Sequence, residues 1–287
     1  MTILLLDGHN LLFRSFTTLP DSIIDASGRP INAVYGLVAT IIRYVREREP
    51  EHIVAAFDIP EIPTFRHKLF PNYQAQRGPL GGDRADDFAN QVQVAREVLP
   101  HFGIPALTAP GFEADDIMGT LAIRMAEAGK DATIVTTDRD ALQLVRPHVA
   151  ILVPGKEARE LASVDDVVAR MGVRPEGIVP FKALAGDSSD NIPGLPGIGS
   201  KTAAQLVNDY GTLDGIYEHL DAISPRARRS LEDNRADALL FERLVTIQTG
   251  LDLAVKPESL PPVAVSDADS IRDILARAGH PMAERKA

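Results

Sequence analysis

Apolar positions along the chain follow two rhythms. In the first part, short apolar runs alternate with longer stretches of helical period. Ile3-Leu4-Leu5-Leu6 is a four-residue run closed by Asp7-Gly8, which predicts a buried strand and a turn. A first helix carrying Arg14 follows in Asn10-Leu11-Leu12-Phe13-Arg14. Residues 32–49 have helical length, with Val34, Leu37, Val38, Ile41, Ile42 and Val45 as the apolar positions, and Pro50 ends them. Ile53-Val54-Ala55-Ala56-Phe57 predicts a second strand, closed by Asp58. Helices are predicted over 87–102 and 113–129. The second carries Ile117, Leu121, Ala122 and Met125 on one face and Gly129 at its C-terminal stop. Residues 132–136 and 149–153 read as further strands, the first followed by Asp138. Alternating strands and helices predict an α/β architecture with a mainly parallel sheet covered on both faces.

From Ser163 onward the rhythm is helical throughout. Ser163-Val164-Asp165-Asp166 resembles a capping box, and Val164, Val167, Val168 and Met171 follow at i, i+3, i+4 and i+7. Further helices are predicted over 175–185, 200–210, 225–249 and 270–278. The change of rhythm divides the chain into residues 1–174 and an all-helical region, 175–287.

Composition narrows the chemistry. At 45% hydrophobic and 24% charged, the 287 residues have the balance of a soluble globular protein. There are no cysteines, which excludes disulfides, thiolate zinc sites, iron–sulfur clusters and a catalytic thiol. A metal must be held by oxygen or imidazole. The apolar start is too short for a signal-peptide core. The longest apolar run, residues 33–42, is about half a membrane span, so a cytoplasmic location is expected, with no membrane partner. A net charge of −10 is not that of an obvious nucleic-acid binder, but placement matters more than the total.

Asp7, Asp58 and Asp138 each close a predicted strand, so a parallel sheet would bring them to one edge, outside the carboxyl ends of its strands. Glu113, Asp115 and Asp116 stand at the start of a helix, where the dipole favours negative charge. Asp140 follows Asp138 by two residues, and Asp187 and Asp190 form an i, i+3 pair in Gly-Asp-Ser-Ser-Asp-Asn. A lone Asp after a strand is usually a turn or cap residue. Nine acids at four coherent places point instead to a metal cluster, because bare carboxylates would repel. Setting those nine aside leaves 31 acidic residues against 30 basic ones. Hard oxygen donors suit Mg²⁺ or Mn²⁺, two or more ions, and such a pair can activate water and stabilise the leaving oxygen of a phosphodiester. His9 and His52 are read as non-ligands.

Gly194-Leu195-Pro196-Gly197-Ile198-Gly199-Ser200-Lys201-Thr202 fails the Walker pattern, since Ser200 separates the last glycine from Lys201 and no strand precedes it. It reads either as a helix–hairpin–helix turn gripping a nucleic-acid backbone or as a plain turn between packed helices. Residues 63–78 interleave Arg66, Lys68 and Arg77 with Phe65, Phe70 and Tyr73. Such a mixture suits single-stranded nucleic acid, or a solvated loop whose rings pack on the domain. Arg14 is a surface residue or a phosphate clamp.

Taken in order, Asp7-Gly8-x-Asn10…Arg14, Ala56-Phe57-Asp58, Phe65-Arg66, Gly111-Phe112-Glu113-Ala114-Asp115-Asp116, Thr137-Asp138-Arg139-Asp140 and Gly186-Asp187-Ser188-Ser189-Asp190-Asn191-Ile192-Pro193-Gly194 resemble the bacterial 5′→3′ exonucleases and flap endonucleases. The same nuclease domain forms the N-terminus of bacterial DNA polymerase I. The resemblance spans roughly residues 2–250, with no polymerase region after it, as in a stand-alone form. It implies a PIN-like catalytic domain over 1–174 with a helical arch at about 60–88, then a helix–three-turn–helix region that binds duplex and often holds K⁺ through turn carbonyls. It implies that Asp7, Asp58, Glu113, Asp115, Asp116, Asp138, Asp140, Asp187 and Asp190 are metal carboxylates, with Asp115 and Asp138 catalytic. Arg14 and Arg77 would contact the phosphate near the scissile bond. Arg66, Lys68 and Tyr73 would bind DNA from the arch, and Gly194, Gly197, Gly199, Ser200 and Lys201 from the turn. The implied activity is metal-dependent hydrolysis of 5′-ended or 5′-flap DNA, including RNA–DNA junctions, in primer removal and repair at the nucleoid. A junction-binding protein with little catalysis and a PIN-type ribonuclease are the alternatives. One departure stands out: the family's arch commonly reads Tyr-Lys-x-x-Arg, whereas here it is Tyr73-Gln74-Ala75-Gln76-Arg77. Losing a charge-assisted contact of about 1.5–3 kcal/mol would slow a transition-state step roughly 10–150-fold.

Overall fold

The computed structural model of the chain describes residues 2–76, 81–265 and 269–283. Strand β1 (Thr2–Asp7) runs into helix α1 (Gly8–Thr18), and α2 (Asn32–Arg48) leads to β2 (His52–Ala56). The short α3 (Phe65–Leu69) and the longer α4 (Asp83–Val98) precede β3 (Ala106–Leu107). Then come α5 (Ala114–Glu127), β4 (Asp131–Val135), β5 (Val149–Val153), β6 (Arg159–Leu161) and α6 (Val164–Met171). The helical region holds α7 (Ile178–Ala185), α8 (Ser200–Tyr210), α9 (Leu213–Glu218), α10 (Pro225–Asp233), α11 (Arg235–Val245) and α12 (Ile271–Arg277).

Among the described residues six strands form one sheet in the order β3-β2-β1-β4-β5-β6. All pairs are parallel except β5–β6. The chain builds outward from β1 through β2 and β3, then returns to lay β4 on the other side of β1. That reversal opens a crevice at the carboxyl ends of β1 and β4, where α/β sheets place their sites. Successive residues of β1 serve opposite faces: Ile3 and Leu5 pack with Ile117, Met118 and Leu121 of α5, whereas Leu4 and Leu6 pack with Leu11, Leu12, Leu37 and Ile41 of α1 and α2. Burial on both faces explains the uninterrupted apolar run at the start of the sequence. The core under α5 continues into the helical region through Leu184, Ile198, Leu206, Leu231 and Leu244.

Several boundaries differ from the sequence expectation. The 225–249 helix is two helices, because the backbone at Asn234 leaves helical geometry (φ −123°) between α10 and α11. Pro100, which has no N–H to donate, sits in a 3₁₀ turn (Leu99–Phe102) that ends the helix begun by α4. A similar turn, Pro175–Gly177, precedes α7. No helix among the described residues is long and apolar enough to cross a membrane.

The turn between α7 and α8 uses its glycines unequally. Gly194 is buried with φ +68°, and a Cβ there would lie 2.4 Å from Gly186 N. It therefore serves backbone packing, which corrects the expectation that it faces DNA. Gly199 is exposed with φ −89°, and a Cβ there meets nothing within 4 Å. Gly194→Ala should therefore cost about 1–3 kcal/mol in denaturant unfolding, and Gly199→Ala less than about 1 kcal/mol. Equal losses at the two sites would contradict this division.

Candidate active site

The first group of acids is assembled at the crevice. Asp7 ends β1 and caps α1; its Oδ1 accepts from Asn10 N (3.1 Å) and its Oδ2 from Thr136 Oγ1 (2.7 Å). The Thr136 hydroxyl accepts in turn from Asp138 N (3.0 Å), so one side chain links the ends of β1 and β4. Asp58, just past β2, accepts from Ala114 N at the start of α5 (2.7 Å). Its own N–H donates to His9 Nδ1 (3.1 Å), which engages that ring nitrogen as an acceptor, and burial lowers the His9 pKa. Asp115 projects from the first turn of α5 into this group. Burial raises its carboxyl well above the usual range, and Asp138, Asp7, Glu113 and Asp58 each add repulsion. Asp7 is likewise pushed up to about 7, mainly by burial and further by Asp58 and Asp138. Asp7, Asp58, Glu113 and Asp138 thus all act electrostatically on Asp115 at this edge of the sheet, although their oxygens are more widely spaced than those of the second group. The donor set is all carboxylate oxygen, hard and strongly self-repelling, which fits a divalent cation.

Asp116 and Arg66 behave differently from the expectation. Asp116 has no exposed surface, and its two oxygens take four hydrogen bonds. Arg66 supplies two in bidentate fashion (2.8 and 2.9 Å), Glu113 N a third (3.0 Å) and Gln248 N a fourth (2.8 Å). No lone pair faces the crevice, so Asp116 orients the site rather than ligating metal. Arg66, 2% exposed, also donates to Leu244 O and Thr246 O and pairs with Glu113 Oε2 at 2.8 Å, so it does not face DNA. Burial opposes its charge, but Asp116 and Glu113 outweigh that and raise its pKa. Tyr73 is buried too, its hydroxyl donating to Glu113 Oε2 (3.2 Å). Phe70 packs against Phe241 and Phe65 against Phe112. The rings of this segment pack on the domain, as the blander of the two sequence readings had it. Glu113 stays pushed up to about 7: burial and neighbouring acids prevail over Arg66.

A second group comprises Asp140, Asp187 and Asp190, each offering one oxygen within 4.8 Å of the others. Asp190 also adds repulsion at Glu113, so the two groups adjoin. Sequence reasoning overlooked Lys182, whose ammonium contacts Asp140 Oδ1 and donates to Asp187 Oδ2 at 2.5 Å. Burial works to raise the Asp187 carboxyl, but Lys182 and Ser189 hold it below its usual range. The available signal was a single charge in the otherwise apolar string Ile178-Val-Pro-Phe-Lys-Ala-Leu-Ala. Gln74, at the position where the family commonly has Lys, donates its side-chain amide to Asp190 Oδ1 (3.0 Å).

Two of the expected phosphate-binding cations are exposed: Arg14 on α1, two turns beyond the Asp7 cap, and Lys68 at the end of α3. Arg77 lies outside the described residues. Gly197, Gly199, Ser200 and Lys201 are exposed at the start of α8, which has no side-chain cap and so presents free N–H groups.

Residues 2–172 match the family described as 5′-3′ exonuclease, N-terminal resolvase-like domain, and residues 173–268 match 5′-3′ exonuclease, C-terminal SAM fold. The chain belongs to the 5′-3′ exonuclease family. It is 40% identical over 262 residues to DNA polymerase I of Mycobacterium bovis, covering 90% of this chain and 28% of that protein. The chain therefore spans less than a third of the length of that relative. Two phage T5 structures share the fold. One, the 5′-exonuclease with bound zinc, has a TM-score of 0.72 at 22% identity, covering 87% of this chain and 90% of that one. The other, a flap endonuclease pseudo-enzyme–product complex with DNA and metal ions, has a TM-score of 0.70 at 21% identity, covering 87% and 89%.

Two outcomes follow for this member of the 5′-3′ exonuclease family. Arg66→Ala leaves Asp116 charged and buried, and should cost about 3–5 kcal/mol of stability, measured by denaturant unfolding. A loss under about 1 kcal/mol would return Arg66 to the surface role. The second concerns pH. Asp7 and Glu113 have raised pKa values in the folded chain, so their contribution is full below the unfolded values of about 4 and is lost as pH rises through about 7. In EDTA the Tm should therefore fall between pH 5 and pH 8, and Asp7→Asn should flatten that fall. Millimolar Mg²⁺ or Mn²⁺ should restore the Tm at pH 8; a Tm indifferent to both would count against the cluster.

Proposed function

We propose that the chain is a divalent-metal-dependent 5′ nuclease that hydrolyses phosphodiester bonds in DNA with a 5′ end or 5′ flap, in primer removal and repair. The observation that carries this reading is Asp115 set among Asp7, Asp58, Glu113 and Asp138 at the switch point of the sheet. Family membership and the phage T5 fold relative with DNA and metal ions support it. Asp7, Asp58, Glu113, Asp115 and Asp138 would hold a first Mg²⁺ or Mn²⁺, and Asp140, Asp187 and Asp190 a second. When bound, such ions activate water and take up charge on the leaving 3′ oxygen.

The remaining steps belong to the chain's own side chains. Thr136 and Asn10 fix the Asp7 carboxylate, and Ala114 N fixes Asp58, so these oxygens need little reorganisation. Arg66 and Asp116 hold the first turn of α5 and thereby aim Glu113 and Asp115. Arg14 would bind the phosphate flanking the scissile bond, with Arg77 in the same role. Lys68, exposed on α3, would add a further phosphate contact. The free N–H groups at the start of α8, with Lys201, would grip the duplex backbone without reading bases. A K⁺ ion at that turn would find Pro196 O already accepting from Ser230 Oγ (2.6 Å).

A 5′-labelled DNA flap incubated with Mg²⁺, Mn²⁺ or EDTA tests the reading. Cleavage near the junction should require metal and fall at least about 10³-fold in Asp115→Ala. Tight binding without cleavage in every metal would make the chain a junction-binding protein, and preferential cutting of RNA strands would make it a ribonuclease.

A further inference from the structure

The second group of carboxylates already contains a cation supplied by the chain. Lys182 lies in the middle of α7, flanked only by uncharged residues, and is 7% exposed. Its ammonium meets two of the three acids, Asp140 and Asp187. Among the described residues Asp140 Oδ1 has no hydroxyl or backbone donor, so the ammonium is what faces that oxygen. The third acid is engaged as well: Asp190 Oδ1 accepts from Gln74 Nε2, and Asp190 O from Gln74 N (3.0 Å each). An ammonium has three donors and no acceptor, so it occupies the carboxylate lone pairs that a metal ion would need.

We propose that Lys182 is the resident counter-cation of this triad and competes with the second divalent ion for Asp140 and Asp187. The proposal rests on reading the triad as the second metal group. Three clustered, part-buried carboxylates are costly without a compensating charge. Lys182 provides that charge in the chain itself, so the triad is held together before any ion arrives. An incoming divalent ion must take the same oxygens, and the ammonium has to leave them. A substrate phosphate changes this balance, because it can accept the displaced ammonium while offering the ion further oxygens. Lys182 is thus a positioning residue that ties occupancy of the second group to the presence of substrate. The Asp190–Gln74 bonds make the segment before Arg77 part of the same exchange.

Mn²⁺ binding, counted by electron paramagnetic resonance and calorimetry on the full chain without DNA, reads this directly. The wild type should bind one ion firmly and a second weakly. Lys182→Met should bind the second about tenfold or more tightly; second-ion affinity unchanged or weakened would overturn the proposal. Asp187→Asn should lose the second ion and keep the first. If no protein shows a second ion and Asp187→Asn matches the wild type, the metal reading of the triad fails and the proposal with it. A fold weakened by Lys182→Met is bypassed by following the lysine ammonium signals of the ¹⁵N-lysine-labelled wild type. One signal should shift as Mg²⁺ fills the second group, and constancy at saturation would overturn the proposal.

Discussion

Arg66 and Asp116 meet side by side in the interior, and three parts of the chain converge on that contact. Arg66 belongs to α3, Asp116 to the first turn of α5, and the remaining donors and acceptors reach Leu244, Thr246 and Gln248 around the end of α11. The pair is desolvated on every side, so it is tolerable only with all its hydrogen bonds made. That requirement fixes where α5 begins relative to α3 and α11. Glu113 and Asp115 immediately precede Asp116 in sequence, and their placement against Asp7, Asp58 and Asp138 follows from this anchor. The carboxyl edge of the sheet and the helical region are therefore joined by a polar contact as well as by the shared core.

The fold was legible where burial is complete on both faces or confined to one. The strand run Ile3–Leu6 and the stretch 32–49 are unambiguous because each apolar residue has a packing partner in the sheet or in α1, α2 and α5. β3 and β6 escaped notice because two or three residues at the sheet edges carry no period. The division at Asn234 escaped because α10 and α11 both have helical pattern; what separates them is one backbone conformation, which hydrophobic pattern does not encode.

The acids were legible as types and spacings, but their division of labour was not. Asp115 and Asp116 are neighbours in sequence with opposite environments: one faces four other carboxylates and the other is sealed by Arg66. Only the direction of each side chain from the first turn of α5 separates them. The same limit applies to Arg66 and Tyr73, whose cationic and aromatic character suits a nucleic-acid surface equally well until burial is known. Lys182 is the converse case. It belongs to no cluster in the sequence, and its meaning comes from α7 delivering it between Asp140 and Asp187.

Seen together, the charges are neutralised unevenly, and the unevenness has a direction. Asp116 is sealed by Arg66, and Asp140 and Asp187 share Lys182. Asp7 and Asp115 face other carboxylates, and both have pKa values raised by burial and repulsion. A chain that places a cation beside some of its buried acids and leaves Asp7 and Asp115 to repel their neighbours holds unspent electrostatic free energy at the latter. A divalent ion recovers it by binding. If both groups hold ions, the first would have the greater demand for an external cation, whereas at the second the ion would have to displace Lys182. Ordered loading is then what the placement of Lys182 on α7 would impose.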